Sequence, residues 1–148
     1  MTHIHDSIII EAPVDKVYSL GRDPERWATW WVNLSEPRKI KGDGSAGTVI
    51  EHDYLVAGLQ LRLKTKVLDD RYDVDGKGHW RGTFDGSMHG EQRWDYEPAE
   101  GGTRVTADID YTVPGRVLGK VADRLFVERM EERAIHQTLE NLKFMVEQ

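Results

Sequence analysis

The spacing of apolar positions changes along the chain, and each change marks an element. Ile4, Ile8 and Ile10 fall in one alternating phase of a segment rich in β-branched residues, so Ile4 to Glu11 predicts a strand. Ala12-Pro13 stops it, and proline suits the first turn of a helix, where its missing N–H is not needed. Val14, Val17, Tyr18 and Gly21 then recur at helical spacing and predict a short helix. Asp23-Pro24 is a second start signal, an N-cap acid followed by proline. Trp27 beyond it shares a helical face with Trp30 and Trp31.

From Pro37 to Val113 the punctuation is glycine. Gly42-Asp43-Gly44, Ala57-Gly58, Asp75-Gly76, Asp85-Gly86 and Gly101-Gly102 are spaced like hairpin turns. They separate Thr48–Val56, Leu59–Asp70, Lys77–Asp85, Ser87–Glu97 and Thr103–Val113. Leu59, Leu61, Leu63, Thr65 and Val67 alternate with Gln60, Arg62, Lys64 and Lys66, giving one apolar and one basic face. Val105, Ala107, Ile109, Tyr111 and Val113 repeat the pattern against Arg104, Thr106, Asp108 and Asp110. That is an antiparallel meander with one wet side.

Pro114-Gly115 ends the sheet and the last third reads as helix. Leu118, Val121/Ala122, Leu125/Phe126, Met130, Ala134, Thr138, Leu142 and Met145 form an apolar stripe. Glu128, Arg129, Glu131, Glu132, Arg133, Glu140 and Lys143 fall mainly on the other side. About 30 residues make a rod of roughly 45 Å. An apolar sheet face and an apolar helix stripe must cover each other, which predicts an α+β fold.

Composition narrows the functions. With 148 residues the chain reads as a single domain spanning 1–148. The 26 acidic against 20 basic residues give a net charge of −6 and no basic surplus for a nucleic acid. The absence of cysteine removes disulfides, thiolate metal sites and cysteine nucleophiles, and fits a reducing, cytoplasmic setting. No aliphatic run approaches the roughly 20 residues a membrane span requires. Gly42-Asp43-Gly44 and Gly76-Lys77-Gly78 lack the phosphate-loop pattern, and no G-x-S-x-G nucleophile motif occurs.

The order of elements resembles the helix-grip fold: a curved antiparallel sheet wrapped around a long C-terminal helix, with two short helices after the first strand. The junctions resemble it too. Ile10-Glu11-Ala12-Pro13 with Val17, then Asp23-Pro24-Glu25-Arg26-Trp27, is similar to the N-terminal signature of the polyketide cyclase/dehydrase and lipid-transfer families of the START-like (SRPBCC) superfamily. Gly47-Thr48 resembles the entry to the next strand of that fold. Trp94-Asp95-Tyr96-Glu97-Pro98 followed by Gly101-Gly102-Thr103-Arg104-Val105 resembles its penultimate hairpin, and Leu139-Glu140-Asn141-Leu142-Lys143 the close of its last helix. The resemblance covers essentially the whole chain. It implies a cavity between sheet and helix that takes a lipid, polyketide, quinone or isoprenoid-like compound, with no cofactor.

The candidate ligand-binding residues are Trp30, Trp31, His52, Tyr54, Leu61, Leu63, Trp80, Trp94, Tyr111, Phe126, Met130 and Ala134. The aromatics offer large faces with a polar tip, and Ala134 and Thr138 leave space on the helix stripe. Trp27 is expected to pack between the short helices and the sheet. His52 and Tyr54 share a strand face with Ile50 and Val56, where a histidine serves as polar anchor or acid–base group. Aromatase/cyclase relatives use an inward arginine and tyrosine. Here the corresponding strand turns Leu61, Leu63, Thr65 and Val67 inward and Arg62, Lys64 and Lys66 outward, and the region after Trp31 offers Asn33 and Leu34. His79, His89 and His136 are expected at the surface. His3 and His5 share one strand face as a possible metal pair, but no third ligand is evident, and no metal is expected. Three functions compete: a carrier of a small apolar molecule, a cyclase, aromatase or dehydratase, and a co-chaperone-like interaction module with Trp30 and Trp31 exposed. The oligomeric state is open.

Overall fold

A computed structural model describes residues 1–119 and 124–148. Its elements are β1 (Thr2–Ile10), α1 (Val14–Gly21), α2 (Trp27–Trp30), β2 (Lys39–Lys41), β3 (Val49–Val56) and β4 (Leu59–Tyr72). There follow β5 (Gly78–Gly86), β6 (His89–Ala99), β7 (Gly102–Thr112), α3 (Gly115–Leu118) and α4 (Arg124–Val146). The strands form one antiparallel sheet in the order β1-β7-β6-β5-β4-β3-β2, with α4 lying along its inner face. This is the helix-grip fold. Among the described residues no helix is long and apolar enough to cross a membrane. Val121 and Ala122 of the expected helix stripe, and the side chain of Leu118, lie outside what is described.

The period-2 pattern sets the sheet. Leu61, Leu63, Thr65 and Val67 of β4 are buried and Gln60, Arg62, Lys64 and Lys66 are exposed, so the basic face is the outer one. The pairing slips between Val67 and Asp69, a bulge that brings Asp70 opposite the buried Trp80. Asp70 thereby faces α1. The Tyr18 hydroxyl donates to it at 2.5 Å, and Arg22 Nη2 pairs with it at 2.7 Å. Burial and the Asp70 carboxylate together hold the Tyr18 phenol well above its ordinary range. The short strand β2 was not evident in the sequence because Lys-Ile-Lys offers one apolar residue. It is held by its register on β3, Ile40 opposite Ile50.

The helix stripe is as expected at Ala134, Thr138 and Leu142 and is displaced by one residue elsewhere. Its buried side is Val127, Glu131, Ala134, Ile135, Thr138, Leu139, Leu142 and Val146. Leu125 and Phe126 are 56% and 48% exposed, while Met130 and Met145 are half-buried at the margin. Thr138 Oγ1 accepts the Val32 N–H at 3.1 Å and Asn141 Nδ2 donates to Trp30 O at 3.1 Å, so α4 is clamped to the segment after α2. These bonds, with Lys143 Nζ on Ile9 O at 3.1 Å, fix the rotation of the helix.

At the far edge of the sheet, His3 and His5 face outward. Their Nδ1 atoms bond Asp110 and Asp108, each at 2.7 Å, directly across the β1–β7 pair. One ligand atom from each of His3, His5 and Asp108 lies within 4.8 Å of the others, so a third group does stand beside the histidine pair. Both imidazoles are already hydrogen-bonded to carboxylates, and the arrangement clasps the edge strand. His89 and His136 are exposed as expected, His136 near Asp6 at 3.1 Å. His79 is instead half-buried between Asp95 and Asp73.

Close approach of α1 to β5 needs a residue without a side chain at Gly78, where a Cβ would lie 2.3 Å from the Tyr18 ring. Tyr18 is pinned by Asp70 and by the Arg71 N–H at 2.9 Å and has little freedom to retreat. Gly78→Ala should cost about 1–3 kcal/mol, as overpacking does. Gly115→Ala, with open space around it, should stay within about 0.5 kcal/mol. Urea melts of the two variants test this.

Candidate ligand cavity

The concave face of the sheet and α4 do not close completely on each other. Leu63, Thr65, Phe84, Ile109 and Tyr111 form one wall of the remaining cavity. Trp27, Trp31 and Leu34, from the segment around α2, form a second, and Glu131 and Ile135 of α4 a third. Ile4, Met88 and Gln92 complete it with His52 and Tyr54. The cavity is a narrow slot. Its volume is about 50 Å³.

Four of the lining side chains can ionise. Glu131 is 5% exposed, and its Oε1 accepts the Tyr54 hydroxyl at 2.8 Å. Burial pushes the carboxyl from 4.5 up to about 7, the bond from Tyr54 working weakly the other way. Tyr54 rises well above its ordinary value, first through burial and then through the neighbouring Glu131 charge, with Trp31 opposing. His52 Nε2 bonds Thr65 Oγ1 at 2.7 Å. Burial lowers its imidazole to about 4, Arg38 adding to this and Asp53 opposing it, so the ring is neutral near pH 7. Its Nδ1 is buried without a partner. The Tyr111 hydroxyl is likewise buried and unpartnered. Thr2 lies near it but donates its own proton to Glu128 at 2.9 Å.

The expected binding residues divide. Trp31, His52, Tyr54, Leu63 and Tyr111 meet on the cavity wall. Trp30, Trp80 and Trp94 lie beside it in a packed aromatic cluster. Trp27 meets Trp80 edge-on at 5.5 Å between centroids, and Trp94 meets Trp30 at 5.8 Å and Trp31 at 5.2 Å. These rings fill the core, contrary to expectation, because α2 lays its tryptophans directly on β5 and β6. Leu61 is buried near the start of β4, outside the cavity. Phe126, Met130 and Ala134 do not line it either, because the rotation of α4 turns Glu131 and Ile135 to that side. Glu131 was expected on the charged face. Its position four residues after Val127 and four before Ile135 was the available signal. Trp27, expected to pack, both packs and lines the slot.

A helix-grip fold with a mostly apolar slot beneath its long helix defines a class of small-molecule cavity proteins. The sequence profile described as polyketide cyclase / dehydrase and lipid transport matches residues 1–147, and the chain belongs to that family. No curated protein matches it. Among solved structures, the chain is similar to the aromatase/cyclase ZhuI of Streptomyces sp. R1128, at 18% identity and a TM-score of 0.71. That match covers 99% of this chain and 93% of the other. A START superfamily protein of Mycobacterium smegmatis aligns at 17% identity and a TM-score of 0.72, over 98% and 97%. A protein of Thermus thermophilus aligns at 21% and 0.70, over 98% and 97%. At these identities the likeness concerns the fold.

A buried acid near pH 7 leaves a mark on stability. Between pH 4.5 and about 7 the folded chain holds the Glu131 proton and the unfolded chain has lost it. Stability from this group therefore falls as pH rises across that window, by roughly 3 kcal/mol in all. Glu131→Gln keeps an acceptor for Tyr54 without the charge. The ligand-free variant should match the parent at about pH 5 and exceed it by up to roughly 3 kcal/mol at about pH 8. Urea melts at both pH values check this.

Proposed function

We propose that this protein, acting as one domain over 1–148, binds a small, flat, largely apolar molecule in the slot between the sheet and α4. The observation that carries this reading is a mostly apolar cavity left between the sheet and α4, with the buried Glu131 carboxyl, hydrogen-bonded to Tyr54 at 2.8 Å, on its wall. A void in a core costs packing energy that a bound apolar molecule restores. The narrowness of the slot favours a ring system or thin chain over a bulky molecule. The family description, which includes lipid transport, supports the same reading, and a cytoplasmic carrier without cysteine fits it.

A specific observation favours a second reading, a cyclase or dehydratase in the same cavity. Glu131 changes protonation near neutrality and sits 2.8 Å from Tyr54, which suits it to give and take a proton. The interaction-module reading has less support, since Trp30 is only 2% exposed and no exposed Trp30/Trp31 pair exists.

Native mass spectrometry of protein purified without detergent from its own organism tests binding. We expect an added mass of a few hundred daltons that leaves on gentle activation. Ile135→Trp, which fills the slot, should lose it. A bare mass from the parent, together with unchanged tryptophan fluorescence across a panel of lipids, quinones and polyketides, would refute the proposal. Turnover of the identified compound by the parent but not by Glu131→Gln would decide for the enzyme.

A further inference from the structure

The polar groups of the cavity are unequal in charge. Among the described residues no lysine or arginine lines it. His52 is neutral near pH 7, and Tyr54 and Tyr111 both stay protonated there. Glu131 is thus the one group that brings a formal charge to the slot, and the charge is negative. It has no cationic partner among the described residues, and its single hydrogen bond comes from Tyr54. A buried carboxylate without a counter-charge is costly, and protein interiors keep such groups paired. The same cavity is lined by five aromatic side chains, Trp27, Trp31, Tyr54, Phe84 and Tyr111, of which Tyr54 touches the acid. Aromatic faces attract cations and have no such attraction for anions.

A carboxylate at one side of an aromatic slot is the complement of an apolar amine. Resting on the reading that the slot is a ligand site, we infer that its ligand is a flat, mostly apolar molecule with one basic nitrogen. The nitrogen is bound as an ammonium against Glu131, with the ring system between the aromatic walls. Tyr54 already donates to Glu131 Oε1, which fixes the carboxylate. Neutral His52 adds no repulsion. Carboxylate ligands are disfavoured, because they would bring a second negative charge into the same desolvated space.

Protons balance simply. Below about pH 7 the empty cavity holds Glu131 as the neutral acid. Entry of an ammonium favours the carboxylate, so Glu131 releases its proton to solvent while the ligand keeps its own. No covalent bond forms or breaks.

A matched set of probes tests this: 2-naphthylmethylamine, 2-naphthalenemethanol and 2-naphthoate, followed by calorimetry and tryptophan fluorescence on the full chain at about pH 7.5. The expected order is amine, alcohol, acid, with the amine at least about tenfold tighter than the alcohol. Glu131→Gln should bring the amine to the level of the alcohol and leave the alcohol within about threefold. At about pH 6, in buffers of different ionisation enthalpy, amine binding to the parent should release close to one proton, and to Glu131→Gln none. An alcohol that binds as well as the amine, or an amine preference that survives Glu131→Gln, overturns the inference and leaves the ligand site standing. If none of the three binds while the native protein carries a removable lipid, the amine class fails alone. If nothing binds and the native mass is bare, both readings fail.

Discussion

The structure depends on one packing relation: α4 must cover the apolar side of a sheet whose other side is wet. Each strand from β3 to β7 puts alternate residues on that side, so the sheet offers a continuous apolar surface with no choice of face. The helix does have a choice, since a small rotation moves a different column of residues onto the sheet. Thr138 and Asn141 remove that freedom by bonding backbone atoms of Val32 and Trp30. With the rotation fixed, Glu131 is carried inside and Phe126 outside. The cavity and its chemistry are consequences of this clamp.

Most of the architecture was legible because period-2 alternation is a strong signal in β4 and β7, where polar and apolar residues barely mix. The glycine turns marked the strand ends to within a residue or two. The bulge after Val67 was not legible, since nothing in Leu68-Asp69-Asp70 announces a slip, yet it is what aims Asp70 at Tyr18. On the helix, Ala134, Thr138 and Leu142 were legible as buried, but Phe126, Met130 and Met145 stand one residue before the buried Val127, Glu131 and Val146. Met130 is more apolar than Glu131, but Val127, Ile135, Leu139 and Val146 fit the helical period better with Glu131 among them.

The same bias affected the tryptophans. Large amphipathic rings suit pocket walls and cores equally well, and sequence has no means of separating the two. The distinction came from which rings had neighbours: Trp30, Trp80 and Trp94 are closed in by other aromatics, whereas Trp31 meets Trp94 and still reaches the slot. Tyr54 was found through its strand phase alone. Its partner on α4, 77 residues away, was not.

The buried acid also bears on why the cavity is not simply filled. Replacing Glu131 by an apolar residue of similar size would remove a desolvation cost of roughly 3 kcal/mol near pH 8, and the surrounding leucine, isoleucine and aromatic side chains would receive it easily. Burying a polar network is a stability gain only when every member is satisfied. Here Glu131 is paired with Tyr54, but His52 Nδ1 and Tyr111 Oη are left unmet. The three groups lie on three different elements, β3, β7 and α4, that converge on one slot. On the ligand reading, a molecule that pairs with Glu131 recovers part of the cost the empty protein carries.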